Sequence, residues 1–168
     1  GQKGTGRWTA IEALKLGQSA SSIEAAVGAR SWSAEKETRV AGEAILATPQ
    51  LPVDLSLEDF ENALLAARII AYAQGFRILT SATNEYDWNL DFARIAEVWR
   101  AGCIIRSALL DDISEAFRGE NLPEGQLVFA PAFAERLQTA LPALRRVTSA
   151  AIIGGHPVPA FSAALAWI

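Results

Sequence analysis

The chain has 168 residues, 51% of them hydrophobic and 20% charged, with a formal net charge of −4. That balance describes one folded domain with a sizeable core and excludes a disordered chain. Without a Lys/Arg block, an uninterrupted apolar run of ~20 residues or a basic-then-apolar leader, it gives no reason to expect a nucleic-acid or membrane partner.

Helical periodicity dominates from the first turn onward. After Gly1–Gly6, Arg7–Leu16 reads as a short helix with Gly17 as its stop. Ser21-Ser22-Ile23-Glu24 has capping-box spacing, so a second helix is expected from there towards Arg30. Ala34–Leu46 reads as a third, and Pro49 and Pro52 then impose a loop. Ser56 with Asp59 marks the start of the longest periodic segment, Leu57–Asn84, which at helical rise spans about 40 Å. Its expected stripe is Phe60, Leu64, Ala67, Ala71 and Ile78, with Gly75 allowing a close helix crossing. Asn89 is a candidate cap for Asp91–Arg100, and Gly102 separates that helix from one over Cys103–Phe117. Gly119–Gly125 is a polar loop, and Gln126–Ala130 carries weak strand character. Helices are expected again over Pro131–Thr139 and Pro142–Ile153. Gly154-Gly155-His156-Pro157 breaks the pattern before Pro159 opens a last helix. The fold expected is all-α, a single multi-helix domain over residues 1–168. The sequence has no methionine, begins on a Gly-rich motif and stops inside an apolar helical run, so a piece of a longer protein is expected.

The opening Gln2-Lys3-Gly4-Thr5-Gly6-Arg7-Trp8-Thr9 is the most suggestive local feature. Small residues let backbone N–H groups approach an anion, the helix that follows presents its positive end, and Lys3 adds a full charge. It matches neither the Walker pattern nor the dinucleotide fingerprint, and an ordinary Gly-containing loop would look the same locally. Arg30, ending the small apolar stretch Ile23–Ala29, serves either the helix C-terminus or a planar anion. His156 reads as a solvated turn residue and Cys103 as a small buried hydrophobe. The lone Cys103 leaves no intramolecular disulfide and agrees with a cytoplasmic setting. One Cys and one His, far apart, give no metal-ligand spacing, so no metal is expected. Arg100 and Arg106 are expected to pair with acids such as Glu97. Asp111-Asp112 reads as a solvated face, and the five tryptophans as core and interface anchors.

Several strings together carry a resemblance. Gln2 to Ala10 resembles the QKGTGKWT motif of the 6-phosphogluconate dehydrogenases, with Arg7 where Lys is usual. Ala29-Arg30-Ser31 is similar to the family's A-R segment at the matching spacing. Ile69-Ile70-Ala71-Tyr72-Ala73-Gln74-Gly75-Phe76 is similar to K-I-I-S-Y-A-Q-G-F. The stretch from Trp99 to Ser107 is similar to W-R-G-G-C-I-I-R-S, with Ala101 for the first Gly, and Pro157-Val158-Pro159-Ala160-Phe161 matches P-x-P-x-F. Order and gaps agree from end to end.

The resemblance implies an NADP-dependent enzyme that oxidises and decarboxylates 6-phosphogluconate to ribulose 5-phosphate in the cytoplasm as a homodimer. It implies that Lys3 and Arg30, with Thr5 beside them, hold the substrate phosphate. It also implies what this chain lacks: the Rossmann domain that binds most of the cofactor, the H-N-G-I-E-Y-G-D-M-Q segment with its preceding lysine that supplies general base and acid, and the basic tail. No catalytic residue is therefore expected here, and the chain alone is expected to be inactive. Two other readings stand beside this one: a related β-hydroxyacid dehydrogenase acting on another sugar acid, and a stand-alone helical module used for association.

Overall fold

The computed structural model describes residues 4–103, 106–119 and 122–168. Eight α-helices account for most of them: α1 Gly6–Lys15, α2 Ser21–Ser33, α3 Lys36–Leu46, α4 Leu57–Glu85, α5 Phe92–Gly102, α6 Leu109–Arg118, α7 Pro131–Ile153 and α8 Pro159–Trp167. No strand occurs among the described residues, and the expected all-α class holds.

The core is the crossing of the two longest helices, α4 and α7. Small residues bring them together: Ala63, Ala66, Ala73, Ala140 and Ala143 are almost completely buried between larger side chains. Ile69 and Ile70 of α4, Phe133 and Leu144 of α7, and Leu110 and Ile113 of α6 fill the remaining space. Each such side chain contributes roughly 1.5–3 kcal/mol by leaving water. Helices α5 and α6 pack against each other beside Phe76 of α4, where Phe76, Phe92, Trp99 and Phe117 make a cluster of tilted and edge-on ring contacts.

The start of α4 follows its sequence signal. Ser56 Oγ accepts from the Asp59 N–H at 3.1 Å and the Asp59 carboxylate accepts from the Ser56 N–H, closing the capping box. Asp59 also accepts from Arg146 of α7, and that guanidinium, then Ser56, holds its carboxyl below the usual range.

Other boundaries differ from the sequence reading, each for a physical reason. The second helix does start at Ser21, but without its box: Ser21 Oγ is engaged by Gln74 and by the Ala163 carbonyl. The cap of α5 is Asp91, not Asn89; its Oδ1 accepts from the Arg94 N–H at 2.9 Å. Helix α3 starts at Lys36, two residues late, because α2 runs on to Ser33 and the chain turns at Ala34-Glu35. Cys103 is extended and partly exposed rather than opening a helix, and α6 begins only at Leu109. Leu127–Phe129 is a 3₁₀ turn and not a strand. Of the expected stripe on α4, Ala67 and Ile78 are buried, but Phe60 and Leu64 are 42% and 49% exposed, and Ala63, Ala66, Ile70 and Ala73 complete the buried arc. A Cβ on Gly75 would meet nothing within 4 Å, so no close crossing depends on it. Taken as a whole, α4 also passes the length and hydropathy test for a membrane-crossing helix, which uninterrupted apolar runs did not suggest. Half of its richest window is buried inside the fold, as a core helix requires.

The largest departure is α7. Pro142 does not divide it; the helix continues through the proline for 23 residues. Pro142 is exposed while its neighbours Ala143 and Leu144 are buried, so packing against α4 outweighs the missing hydrogen bond. Pro142→Ala restores an N–H to the helix ladder and is expected to raise stability by about 1–3 kcal/mol. Calorimetric melting checks this; an unchanged or lowered Tm would show that the helix is shaped around the proline.

Candidate functional site

Helices α1 and α2 form the hairpin that builds the site. Gly17, at φ +64°, ends α1 in the left-handed conformation that glycine adopts without strain. The Gln18 N–H returns to the Ala13 carbonyl at 2.8 Å and the Gly17 N–H to Leu14 at 3.2 Å, so the chain reverses within four residues. Ala13 and Ala20, both fully buried, pin the turn onto Ile78 of α4. Tyr86, just past the end of α4, adds a bond from its hydroxyl to Glu12 at 2.5 Å. That bond, with Lys15, lowers the Glu12 carboxyl, and the carboxylate in turn raises the Tyr86 hydroxyl.

The reversal brings the N-terminus of α1 back against the C-terminal half of α2. A Cβ on Gly6 would lie 2.9 Å from Val27 Cγ2, so only glycine permits this approach. Helix α1 has no side-chain cap and no acidic residue in its first turn. Its opening amides and the positive end of its dipole therefore remain available to a ligand.

A cavity of about 650 Å³ opens at this point. Gly4 lines it from the loop before α1, Gly6 and Arg7 from α1, Ser22, Val27 and Arg30 from α2, Leu64 and Arg68 from α4, and Phe161 from α8. Its walls are mostly apolar, but among the described residues they carry three arginines and no carboxylate. None of the ion pairs among the described residues uses Arg7, Arg30 or Arg68. Uncompensated guanidinium groups beside free helix amides are a ready anion site.

Of the residues singled out in the sequence, the structure thus brings Arg30 to the Gly4–Gly6 loop. Thr5 lies at the loop but does not line the cavity; its carbonyl accepts from the Thr9 N–H at 3.0 Å and its side chain caps nothing. Lys3 lies outside the described residues. The remaining candidates go elsewhere. His156 is not a free turn residue: its Nε2 sits 2.7 Å from the Leu51 carbonyl and ties the proline loop to the end of α7. Cys103 Sγ lies 2.9 Å from the Trp99 carbonyl. Arg100 pairs with an acid as expected, Asp111, while Glu97 takes Arg94 and Arg118. Asp112 pairs with Arg136, so Asp111, which stays exposed as expected, and the half-buried Asp112 join α6 to α5 and α7. Of the five tryptophans, Trp167 packs against the core, whereas Trp8, Trp32, Trp88 and Trp99 are 37–66% exposed, Trp99 still touching the Phe76 ring. Among the described residues, no group of three His, Cys, Asp or Glu side chains could hold a metal.

Two polar residues behind the cavity escaped the sequence reading as individuals. Gln74 is completely buried within α4; its Oε1 accepts from the Ser22 N–H at 2.9 Å and its Nε2 donates to Ser21 Oγ at 3.2 Å. It thereby caps α2 from a different helix and sets where the helix carrying Arg30 begins. Ser22 itself is 5% exposed, and its hydroxyl has no hydrogen-bond partner although it lines the cavity. The only sequence signal for Gln74 was an amide at an interior position of an otherwise apolar helix.

Comparison with known proteins gives the following. A family model described as 6-phosphogluconate dehydrogenase, C-terminal domain, matches residues 1–168. The decarboxylating 6-phosphogluconate dehydrogenase of Treponema pallidum is 44% identical over 99% of this chain, which covers 36% of that protein. The Escherichia coli enzyme of the same name is 43% identical over 98% of the chain, again covering 36% of that protein. A solved structure of the Plasmodium falciparum 6-phosphogluconate dehydrogenase superposes with a TM-score of 0.90 at 37% identity, covering 99% of this chain and 37% of that one. Its description names an apo form and complexes with the cofactor NADP+ and the substrate 6-phosphogluconate. The chain therefore spans about a third of the length of the relatives it matches.

Proposed function

Because this chain belongs to the 6-phosphogluconate dehydrogenase C-terminal domain family, we propose that residues 1–168 are the substrate-binding and dimerisation domain of a decarboxylating, NADP-dependent 6-phosphogluconate dehydrogenase. The enzyme would oxidise and decarboxylate 6-phosphogluconate to ribulose 5-phosphate in the cytoplasm, as a step of the pentose phosphate pathway. Lys3, Thr5 and Arg30 hold the substrate phosphate. NADP is bound mainly by an N-terminal domain outside this sequence, and the acid–base residues belong to a separate segment that this sequence also lacks. The observation that carries the reading is the convergence of Arg30 and the uncapped amide end of α1 on one carboxylate-free cavity.

Calorimetric titration of the purified chain tests it. Binding of 6-phosphogluconate is expected, and gluconate, which lacks the phosphate, should bind at least tenfold more weakly. Equal affinity for the two would remove the phosphate site. The same preparation should reduce no NADP with 6-phosphogluconate, since positioning residues alone move neither hydride nor proton. Measurable NADPH production would overturn that expectation.

Assembly follows from what the fold leaves uncovered. Val40, Ile45 and Leu46 of α3 are 56–80% exposed, and α3 buries no residue of its own. Ile152 and Ile153 at the end of α7 are 61% and 76% exposed. Large apolar side chains at this density suit an interface with a second copy. Light scattering at tens of micromolar is expected to give twice the chain mass, and a clean monomer would count against the homodimer.

A further inference from the structure

Arg68 of α4 lines the same cavity as Arg30 but has a different attachment. Its Nη2 donates to Ser107 Oγ at 2.6 Å. Ser107 is 8% exposed and lies just before α6, where its carbonyl accepts from the Leu110 N–H at 3.1 Å. The serine is therefore a fixed acceptor, and it consumes one of the five N–H donors of the guanidinium. No carboxylate among the described residues pairs with Arg68, and none lines the cavity. An arginine anchored through a neutral hydroxyl keeps its whole charge for another partner, and its orientation is partly set in advance. Ser22 also stands in the cavity wall, 5% exposed, with its hydroxyl oxygen buried and without a partner.

We infer that Arg68, held by Ser107, is a further anion-binding residue of this cavity and contacts the same phosphate group as Arg30. The inference rests on the reading of the cavity as the substrate phosphate site. It gives the Trp99–Ser107 motif a role there: the motif's last residue acts on the ligand through Arg68. Arg30 and Arg68 approach from different helices, so the group they share is clasped from two sides. A phosphate presents enough acceptor oxygens and charge for both guanidinium groups, whereas a single carboxylate saturates one fork.

The test follows the arginine Nε–Hε signals of the chain by NMR while inorganic phosphate is added at constant ionic strength. The Arg30 and Arg68 signals are expected to move together along one binding curve. Arg68→Ala should weaken phosphate binding roughly tenfold. Ser107→Ala, which leaves the charge but frees the side chain, should weaken it roughly threefold. Arg145→Ala removes an equal charge from a residue that does not line the cavity and should leave the affinity unchanged. If the Arg30 signal moves while that of Arg68 stays still, Arg68 is not a ligand, although the phosphate site itself stands. If neither moves, both readings fail. If Arg145→Ala costs as much as Arg68→Ala, net charge alone explains the loss and the inference is overturned.

Discussion

Replacing Arg30 by alanine in the enzyme that carries this domain is expected to raise the KM for 6-phosphogluconate about ten- to a hundredfold and to leave the KM for NADP nearly unchanged. The magnitude comes from the loss of charge-assisted hydrogen bonds to a phosphate, about 1.5–3 kcal/mol, where each 1.4 kcal/mol is a factor of ten. The selectivity comes from geometry: Arg30 faces the cavity formed by the α1 terminus, α2, α4 and α8, and the cofactor domain lies outside this sequence. Arg7 and Arg68 line the same cavity and keep their charges, so the loss should be partial rather than complete. Arg30→Lys keeps the charge and loses the fork, and it should fall between the two. The side chain is exposed and makes no ion pair among the described residues, so its removal should leave the melting temperature within experimental error. That separates a binding defect from an unfolding one. Steady-state kinetics with both substrates decides the matter: a KM for NADP that rises in parallel, or a KM for 6-phosphogluconate that does not move, would remove Arg30 from the phosphate site.

How much of this was legible in the sequence depends on how local the cause is. The capping box at Ser56 and Asp59, the stop at Gly17 and the start at Pro159 are each written within a few residues, and all three occur. The approach of Arg30 to the Gly4–Gly6 loop was also readable, because a short helix, a glycine turn and a second helix form a hairpin almost irrespective of the rest of the chain. What failed was decided by tertiary packing. Pro142 is a helix breaker by propensity, yet burial of Ala143, Leu144 and Val147 carries α7 through it. The Ser21–Glu24 spacing looks like a local cap, but Gln74, more than fifty residues away, takes over that work. The apolar stripe on α4 held at Ala67 and Ile78 but misled at Phe60 and Leu64, which stay half-exposed while the smaller Ala63, Ala66 and Ala73 are buried. Arg68 was invisible for a related reason. Nothing about an arginine between alanine and isoleucine says that a serine 39 positions on will hold it against a cavity.

Those tertiary causes make Gln74 the most exposed point of the design. Its amide is the only group bridging α4 to the first turn of α2 by hydrogen bonds among the described residues. Gln74→Ala removes both bonds at once. It leaves the Ser22 N–H buried without an acceptor and opens a cavity where a fully enclosed side chain stood. The two costs together come to about 3 kcal/mol, which for a chain of this length lowers Tm by about 6–12 °C. Gln74→Leu fills most of the volume but still strands the Ser22 N–H, so about half of that loss should remain. The contrast between the two variants separates packing from hydrogen bonding. The site should register the change as well. With its N-terminal turn no longer fixed from α4, α2 can shift along its axis, and Arg30, two turns further on, shifts with it. Phosphate affinity is therefore expected to fall several-fold in Gln74→Leu at temperatures where the variant is fully folded, although Gln74 touches no ligand. Thermal unfolding of both variants, with a phosphate titration of Gln74→Leu well below its Tm, measures the two effects independently. A Gln74→Leu variant that melts like the parent would show that α2 holds its position through packing against α1, α4 and α8 without these hydrogen bonds, and that the amide at the centre of the Tyr72–Phe76 motif does not position the site.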